Sequence, residues 1–175
     1  MIQIDTVHAK LLNALVLAGK PKTVLEFGYG IGFATDEIYA ALEYNQQPYE
    51  YTLVDNWLDY SDPEQVKEKY SHKINIVTAN ERDFVFSCKE KYDFIMSDAD
   101  HHATEQWFEY VYDSLLADDG ILCYHDVMLT SMFPNLYRIV ELCQEYNLRY
   151  KVFDKSSLPE EMCFRGMIVI FKNKT

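Results

Sequence analysis

The sequence predicts an α/β fold, a doubly wound sheet of seven strands that is mostly parallel with the last strand antiparallel. Three observations carry this. After Pro21, short runs of β-branched and aromatic residues alternate with longer stretches of helical character, which means parallel strands, right-handed crossovers and helices on both faces. The first five runs end in glycine or polar residues, the place where open parallel sheets bind ligands. The link from Phe153 to Gly166, with Ser156, Ser157, Pro159 and the pair Glu160-Glu161, has no amphipathic period, so a loop there lets the final strand enter antiparallel.

The elements follow in order. Val7, Leu11, Leu12, Leu15 and Ala18 recur at helical spacing, with Asp5 or Thr6 to cap the start and Gly19 to close the end. Strands are expected at Thr23 to Phe27, Tyr51 to Asp55, Ile74 to Thr78, Asp93 to Ser97, Ile121 to His125, Arg149 to Phe153 and Gly166 to Lys172. Helical character fills Ala34 to Tyr44, Pro63 to Tyr70, a short turn near Arg82 to Ser87, Ala103 to Leu116 and Pro134 to Glu145.

At 175 residues there is room for one core and hardly for two. No repeat or Pro/Gly linker divides the chain, so 1–175 reads as one domain: a first helix in 1–20, the core in 22–127, and a helix with the last two strands in 128–175. A formal charge of -12 opposes approach to nucleic acid and to anionic lipid. Cys88, Cys123, Cys143 and Cys163 form no C-x-x-C pair, so reduced buried thiols are expected rather than a zinc knuckle. No signal peptide or membrane span is read, and the expected setting is cytoplasmic.

The strand ends concentrate the unusual residues. The first delivers Glu26-Phe27-Gly28-Tyr29-Gly30-Ile31-Gly32, the second Asp55-Asn56, the third Ala79-Asn80-Glu81, the fourth Asp98-Ala99-Asp100-His101 and the fifth His125-Asp126. Glycines at alternate positions between a strand and a helix let the chain turn sharply and a ligand touch main-chain atoms. The spacing is G-x-G-x-G, and Phe33 stands where a dinucleotide fingerprint has its third glycine. Asp55 is placed to accept both hydroxyls of a ribose. A pyrophosphate would face Glu26, Asp55, Asp98, Asp100 and Asp126 with only Arg82 as a nearby cation, whereas a sulfonium would be welcome. Charge therefore favours S-adenosylmethionine over NAD.

The segments V-L-E-F-G-Y-G-I-G, Y-D-F-I-M-S-D-A-D-H and L-A-D-D-G-I-L-C-Y-H-D, with Asp55 between, resemble successive motifs of the Rossmann-like class I S-adenosylmethionine-dependent methyltransferases over roughly Lys22 to Val127. The D-A-D-H and H-D segments are most similar to the small-molecule O-methyltransferase branch that includes the catechol and caffeoyl-CoA enzymes. The resemblance implies that Glu26, Phe27, Gly28, Gly30 and Gly32 border the methionine part of the cofactor and that Asp55 holds its ribose. It places Asn56 or Trp57 near adenine and Asn80, in place of the usual aspartate, at the adenine amine. It also implies a divalent cation at Asp98, His125 and Asp126. The carboxylates suit Mg²⁺, and the histidine shifts preference toward Mn²⁺, Fe²⁺ or Zn²⁺. The alternative is that Asp98 orients the methionine amine while His125 and Asp126 line the acceptor pocket.

His101 falls where the resembling enzymes carry a lysine base, and an imidazole can serve at neutral pH. The competing readings are that His101 or His102 caps the next helix, or that His125 is the base. His8 and His72 read as solvated histidines away from the strand ends. The expected reaction is in-line displacement at the sulfonium methyl by a small acceptor, with Trp57, Tyr60, Trp107, Met128 and Phe133 near the strand-end loops unless they are core packing. Alternatives are a non-catalytic protein that binds the cofactor or its product, an NAD-binding domain, or a macromolecular methyltransferase, the last lacking an N/D-P-P-Y-type signature. A homodimer that closes the acceptor pocket with a partner subunit is also an expectation.

Overall fold

A computed structural model describes residues 4–58, 61–154 and 165–173. Its strands are β1 (Thr23–Phe27), β2 (Glu50–Asp55), β3 (Asn75–Thr78), β4 (Tyr92–Ser97), β5 (Leu116–His125), β6 (Arg149–Phe153) and β7 (Met167–Phe171). They form one sheet in the order β3-β2-β1-β4-β5-β7-β6. The pairings β1–β2, β1–β4, β2–β3 and β4–β5 are parallel, and β7 runs antiparallel to both β5 and β6. The expected sheet is thus present, with β7 as its one reversed strand.

The helices are α1 (Thr6–Gly19), α2 (Phe33–Asn45), α3 (Pro63–Lys69), α4 (Glu81–Ser87), α5 (Phe108–Tyr110) and α6 (Tyr137–Glu145). Two apolar layers sandwich the sheet. Leu12, Val16, Ile38, Leu42 and Val66 of α1, α2 and α3 pack on one face. Val85, Phe108, Val111, Ile139 and Leu142 pack on the other. Strands buried on both faces read as nearly unbroken apolar runs, which is why Val24, Leu25 and Phe27 of β1 and Phe94, Ile95 and Met96 of β4 are fully enclosed.

Four local boundaries differ from expectation for identifiable reasons. Asp5 caps α1 as foreseen, its Oδ1 accepting from the amides of Val7 and His8, but Lys20 in the left-handed region, rather than Gly19, ends the helix. The turn near Arg82 is a helix, α4. The stretch expected as one helix from Ala103 to Leu116 changes geometry along its length: a 3₁₀ turn (Thr104–Trp107), the single α turn of α5, and a π turn (Val111–Leu115). Strand β5 begins at Leu116, which pairs with Tyr92 before Ala117 to Gly120 bulge out and pairing resumes between Phe94 and Ile121. Asp119 adopts φ 60° in that bulge, so the strand expected from Ile121 starts earlier and is interrupted by the Asp-Asp-Gly stretch.

The order reverses between β1 and β4, since β2 lies on one side of β1 and β5 on the far side of β4. Crossovers leave in opposite directions there, and a crevice opens beyond the carboxyl ends of these two strands. Among the described residues no helix is long and apolar enough to cross a membrane.

Candidate active site

The turn after β1 forms the floor of this crevice. Gly28, Gly30 and Gly32 all adopt positive φ. At Gly28 (φ +88°) a Cβ would lie 2.5 Å from the Asp98 carbonyl oxygen, so the two strand ends touch through bare backbone. Asp55, at the end of β2, accepts from the Tyr29 amide (2.7 Å, Oδ2) and from the Trp57 amide (2.7 Å, Oδ1). It thereby clamps the glycine turn, and each oxygen keeps a further lone pair for a ligand hydroxyl. Trp57 holds φ 58° and lies beside Tyr29, with ring centroids 5.7 Å apart. An open cleft of about 560 Å³ lined by Tyr29, Trp57, Ser61, Gln65 and Lys69 adjoins this clamp; it does not reach the strand ends of β4 and β5.

Under the turn, Glu26 is fully enclosed and accepts from Thr35 Oγ1 (3.0 Å) and the Tyr51 hydroxyl. Burial pushes its carboxyl up to about 8 despite those two donors, and the nearby Asp98 and Asp55 charges add to the rise. Asn80 begins α4 with no side-chain cap hydrogen bond and is exposed at the end of β3. Asn56 Oδ1 is taken by the Leu58 amide (3.0 Å).

The loops after β4 and β5 bring four further groups together. His101 Nε2 lies 3.1 Å from Asp98 Oδ1 and 3.3 Å from Asp126 Oδ2. His125 Nδ1 lies 3.4 Å from Asp98 Oδ1 and 3.2 Å from Asp126 Oδ1. The imidazoles hold the Asp98 carboxyl far below the usual carboxylate range, against the opposing effect of burial. Burial alone would depress the His101 imidazole, but hydrogen bonding to Asp126 and Asp98 outweighs it and pushes it up to about 10. His101 Nδ1 also meets the Ala99 carbonyl at 2.8 Å, so in the free protein the ring stands as a doubly donating imidazolium rather than the neutral base that its ordinary pKa suggested.

Neither His101 nor His102 caps the following segment. Asp100 Oδ1 instead holds the turn before it, accepting from the amides of His102 (3.0 Å) and Ala103 (3.2 Å), and the segment itself begins at Thr104 with no side-chain cap. The aromatics divide. Phe133 lies over His101, with centroids 4.5 Å apart, whereas Trp107 is core. Met128 packs against Gly166. Tyr60 lies outside the described residues.

Three residues that the structure draws to this group were given no role in it by the sequence. Arg165 donates to Asp126 from Nε (2.6 Å) and from its terminal nitrogen (2.8 Å), so the strand-end carboxylates do not lack a strong cation. The pairing explains it: antiparallel alignment of His125 with Met167 sets the residues before β7 against those after β5, and the Met128 amide meets the Arg165 carbonyl at 2.8 Å, a neighbourhood that the sequence does not specify. Glu81 is buried and accepts from Ser97 Oγ, the Asp100 amide, Thr104 Oγ1 and Trp107 Nε1 at 3.0–3.1 Å, tying the loop that carries Asp98 and His101 to α4. His8 is the third. It is fully buried, and its Nδ1 lies 3.1 Å from His125 Nε2, so it is not the solvated histidine expected; His72 is exposed as foreseen.

No curated protein matches the chain by sequence. A family model described as a methyltransferase domain matches residues 25–127. Among solved structures, cofactor-bound Rv0187 from MTB superposes with a TM-score of 0.81 at 13% identity, covering 99% of this chain and 83% of that one. The O-methyltransferase TomG from Streptomyces achromogenes, in complex with SAM, gives 0.77 at 12% identity over 98% and 82%. An O-methyltransferase from Bacillus cereus in complex with SAH gives 0.77 at 16% identity over 97% and 83%. The match runs from within β1 to just past the end of β5, over the strands and turns that build the crevice, and on it the chain belongs to the methyltransferase domain family.

Proposed function

We propose that the chain moves the sulfonium methyl of S-adenosylmethionine to a hydroxyl oxygen of a small molecule. One observation carries this reading: Asp98, His101, His125 and Asp126 converge beside the Gly28 turn, where the methyl of a cofactor lying across the switch point would emerge. The likeness to TomG and to the Bacillus cereus enzyme, both described as O-methyltransferases, supports oxygen as the acceptor atom. In this reading Asp55 binds the ribose hydroxyls, Glu26 and the glycine turn border the methionine, and Asn80 and Trp57 flank the adenine.

The site also fits a divalent cation. Asp98, His101 and Asp126 each offer one ligand atom, all within 4.8 Å of one another. The buried His125 Nδ1 has no hydrogen-bond partner and faces the same two carboxylates. Mixed oxygen and nitrogen donors suit Mn²⁺, Fe²⁺ or Zn²⁺ better than Mg²⁺. Such an ion, when bound, acidifies the acceptor hydroxyl. The chain's own residues do the rest: Phe133 walls the acceptor side, Arg165 and Glu81 hold the two loops in place, and His101 takes the acceptor's proton on Nε2 only after that nitrogen has given up its own and where no ion occupies it. Most of the acceleration then comes from aligning oxygen and methyl.

The test is formation of S-adenosylhomocysteine from S-adenosylmethionine over a panel of phenols, catechols and sugar hydroxyls, with EDTA, Mg²⁺ or Mn²⁺. Transfer to an oxygen acceptor is expected, falling about 100-fold or more in His101→Ala and Asp98→Asn while S-adenosylhomocysteine still binds. Full turnover in His101→Ala would remove its role as base. Transfer confined to nitrogen acceptors would overturn the O-methylation reading.

A further inference from the structure

His125 faces two ways, and only its Nδ1 looks into the crevice. Its Nε2 points into the protein, to a second group formed with Asp5 and His8 at the start of α1. Asp5 Oδ2 lies 2.9 Å from His8 Nδ1, and His8 Nδ1 lies 3.1 Å from His125 Nε2. All three residues are buried, and one donor atom from each lies within 4.8 Å of the others.

A hydrogen-bond network does not satisfy this group. His8 Nδ1 meets two partners, yet a ring nitrogen carries either one proton or one lone pair in the ring plane. A proton on it serves either Asp5 Oδ2 or His125 Nε2 in full but not both, and if it is bare it confronts a carboxylate oxygen lone pair to lone pair. With Nδ1 paired to His125, Asp5 Oδ2 keeps only its ionic contact with that nitrogen at 2.9 Å, and His8 Nε2 on the far side of the ring has no hydrogen-bond partner. Unsatisfied buried polar atoms are costly, and here two acceptors compete for one ring nitrogen.

A cation resolves the conflict, because it accepts lone pairs from all three atoms at once. Tetrahedral bonds of roughly 2.0–2.1 Å set ligand atoms about 3.3 Å apart, so separations of 2.9 and 3.1 Å need only a slight spreading. Two imidazoles and one carboxylate is a donor set for Zn²⁺ and its first-row neighbours rather than for Mg²⁺ or Ca²⁺. We propose that Asp5, His8 and His125 form a buried transition-metal site, separate from the Asp98, His101 and Asp126 set, that clamps the start of α1 onto the end of β5. His125 then stands between the two sets, with one ring nitrogen directed to each. This holds whatever acceptor the enzyme uses and depends on no feature of methyl transfer.

Co²⁺ titration of metal-stripped full-length protein, followed by its visible absorption and by equilibrium dialysis, tests this. The comparison set is wild type, Asp5→Asn, His8→Asn and His101→Asn, each checked for folding by circular dichroism and for binding of S-adenosylhomocysteine. Asparagine at position 5 keeps the helix cap while removing the charge, so that variant folds if the site is dispensable for folding. Expected is one Co²⁺ with intense tetrahedral bands, weakened at least 10-fold in Asp5→Asn and His8→Asn but retained in His101→Asn. Absence of such a site in wild type, or equal affinity in Asp5→Asn and His8→Asn, overturns the proposal. Loss only in His101→Asn overturns it too, by assigning the ion to the other set. Failure of S-adenosylhomocysteine to bind wild type would instead count against the methyltransferase reading alone.

Discussion

Glu26 sits beneath the glycine turn with no exposed surface, and burial sets its acidity. Its folded pKa, about 8, is above the ordinary 4.5, so over that interval the folded chain holds a proton that the unfolded chain has lost. Stability from this group is complete below about 4.5 and declines as pH rises toward 8, by at most about 1.4 kcal/mol per pH unit. Glu26→Gln should flatten that part of the melting temperature versus pH curve; an unchanged slope would mean that Glu26 is not the group responsible. At Gly28, an alanine meets both a positive φ and the Asp98 carbonyl. Gly28→Ala is expected to cost about 1–3 kcal/mol in denaturant unfolding and to weaken S-adenosylhomocysteine binding, whereas Gly30→Ala, with nothing within 4 Å of its Cβ, meets only the strain of positive φ. The residues at the strand ends were legible because β2, β4 and β5 each stop on a polar residue and β1 runs straight into the glycine turn. Their charge states were not: Glu26 holds its proton, Asp126 is paired with Arg165, and His101 is a cation, so the crevice is less acidic than a count of carboxylates implies.

At the scale of elements, Glu81 shows how a short helix controls a loop. It is the first residue of α4, and its four bonds fix Ser97, Asp100, Thr104 and Trp107 around the turn that presents Asp98 and His101. Glu81→Ala leaves buried donors unmatched and should cost about 3 kcal/mol or more in denaturant unfolding, with a fall in turnover, while Glu81→Gln keeps one acceptor oxygen and loses less. Equal stability of Glu81→Ala and wild type would show that the loop is held by other contacts. The strands were readable from β-branched runs bounded by turn residues, α1 from its apolar spacing, and α2 from the helical stretch left between the first two strands. The segment 104–115 was not: its apolar positions fit a regular helix, but Trp107 and Thr104 are anchored to Glu81, and that tertiary attachment is met by a tight first turn and a widened last one. The same limit hid His8, which helical spacing places on α1 but whose neighbour, His125, is set by how α1 packs over the end of β5.

For the whole molecule, the reversal between β1 and β4 explains why polar groups from residues 26 to 126, with Arg165, meet at one edge of the sheet. The alternation of strands and helices made that edge foreseeable; the return of β7 beside β5, which delivers Arg165, required the pairing itself. This edge is expected to bind an S-adenosyl cofactor and not a pyrophosphate-bearing dinucleotide. Thermal unfolding of the wild-type chain with S-adenosylhomocysteine or NAD, each at a hundred times a micromolar Kd, tests it most directly. S-adenosylhomocysteine is expected to add about 2.7 kcal/mol of stability and NAD none; stabilisation by NAD with no response to S-adenosylhomocysteine would contradict the account.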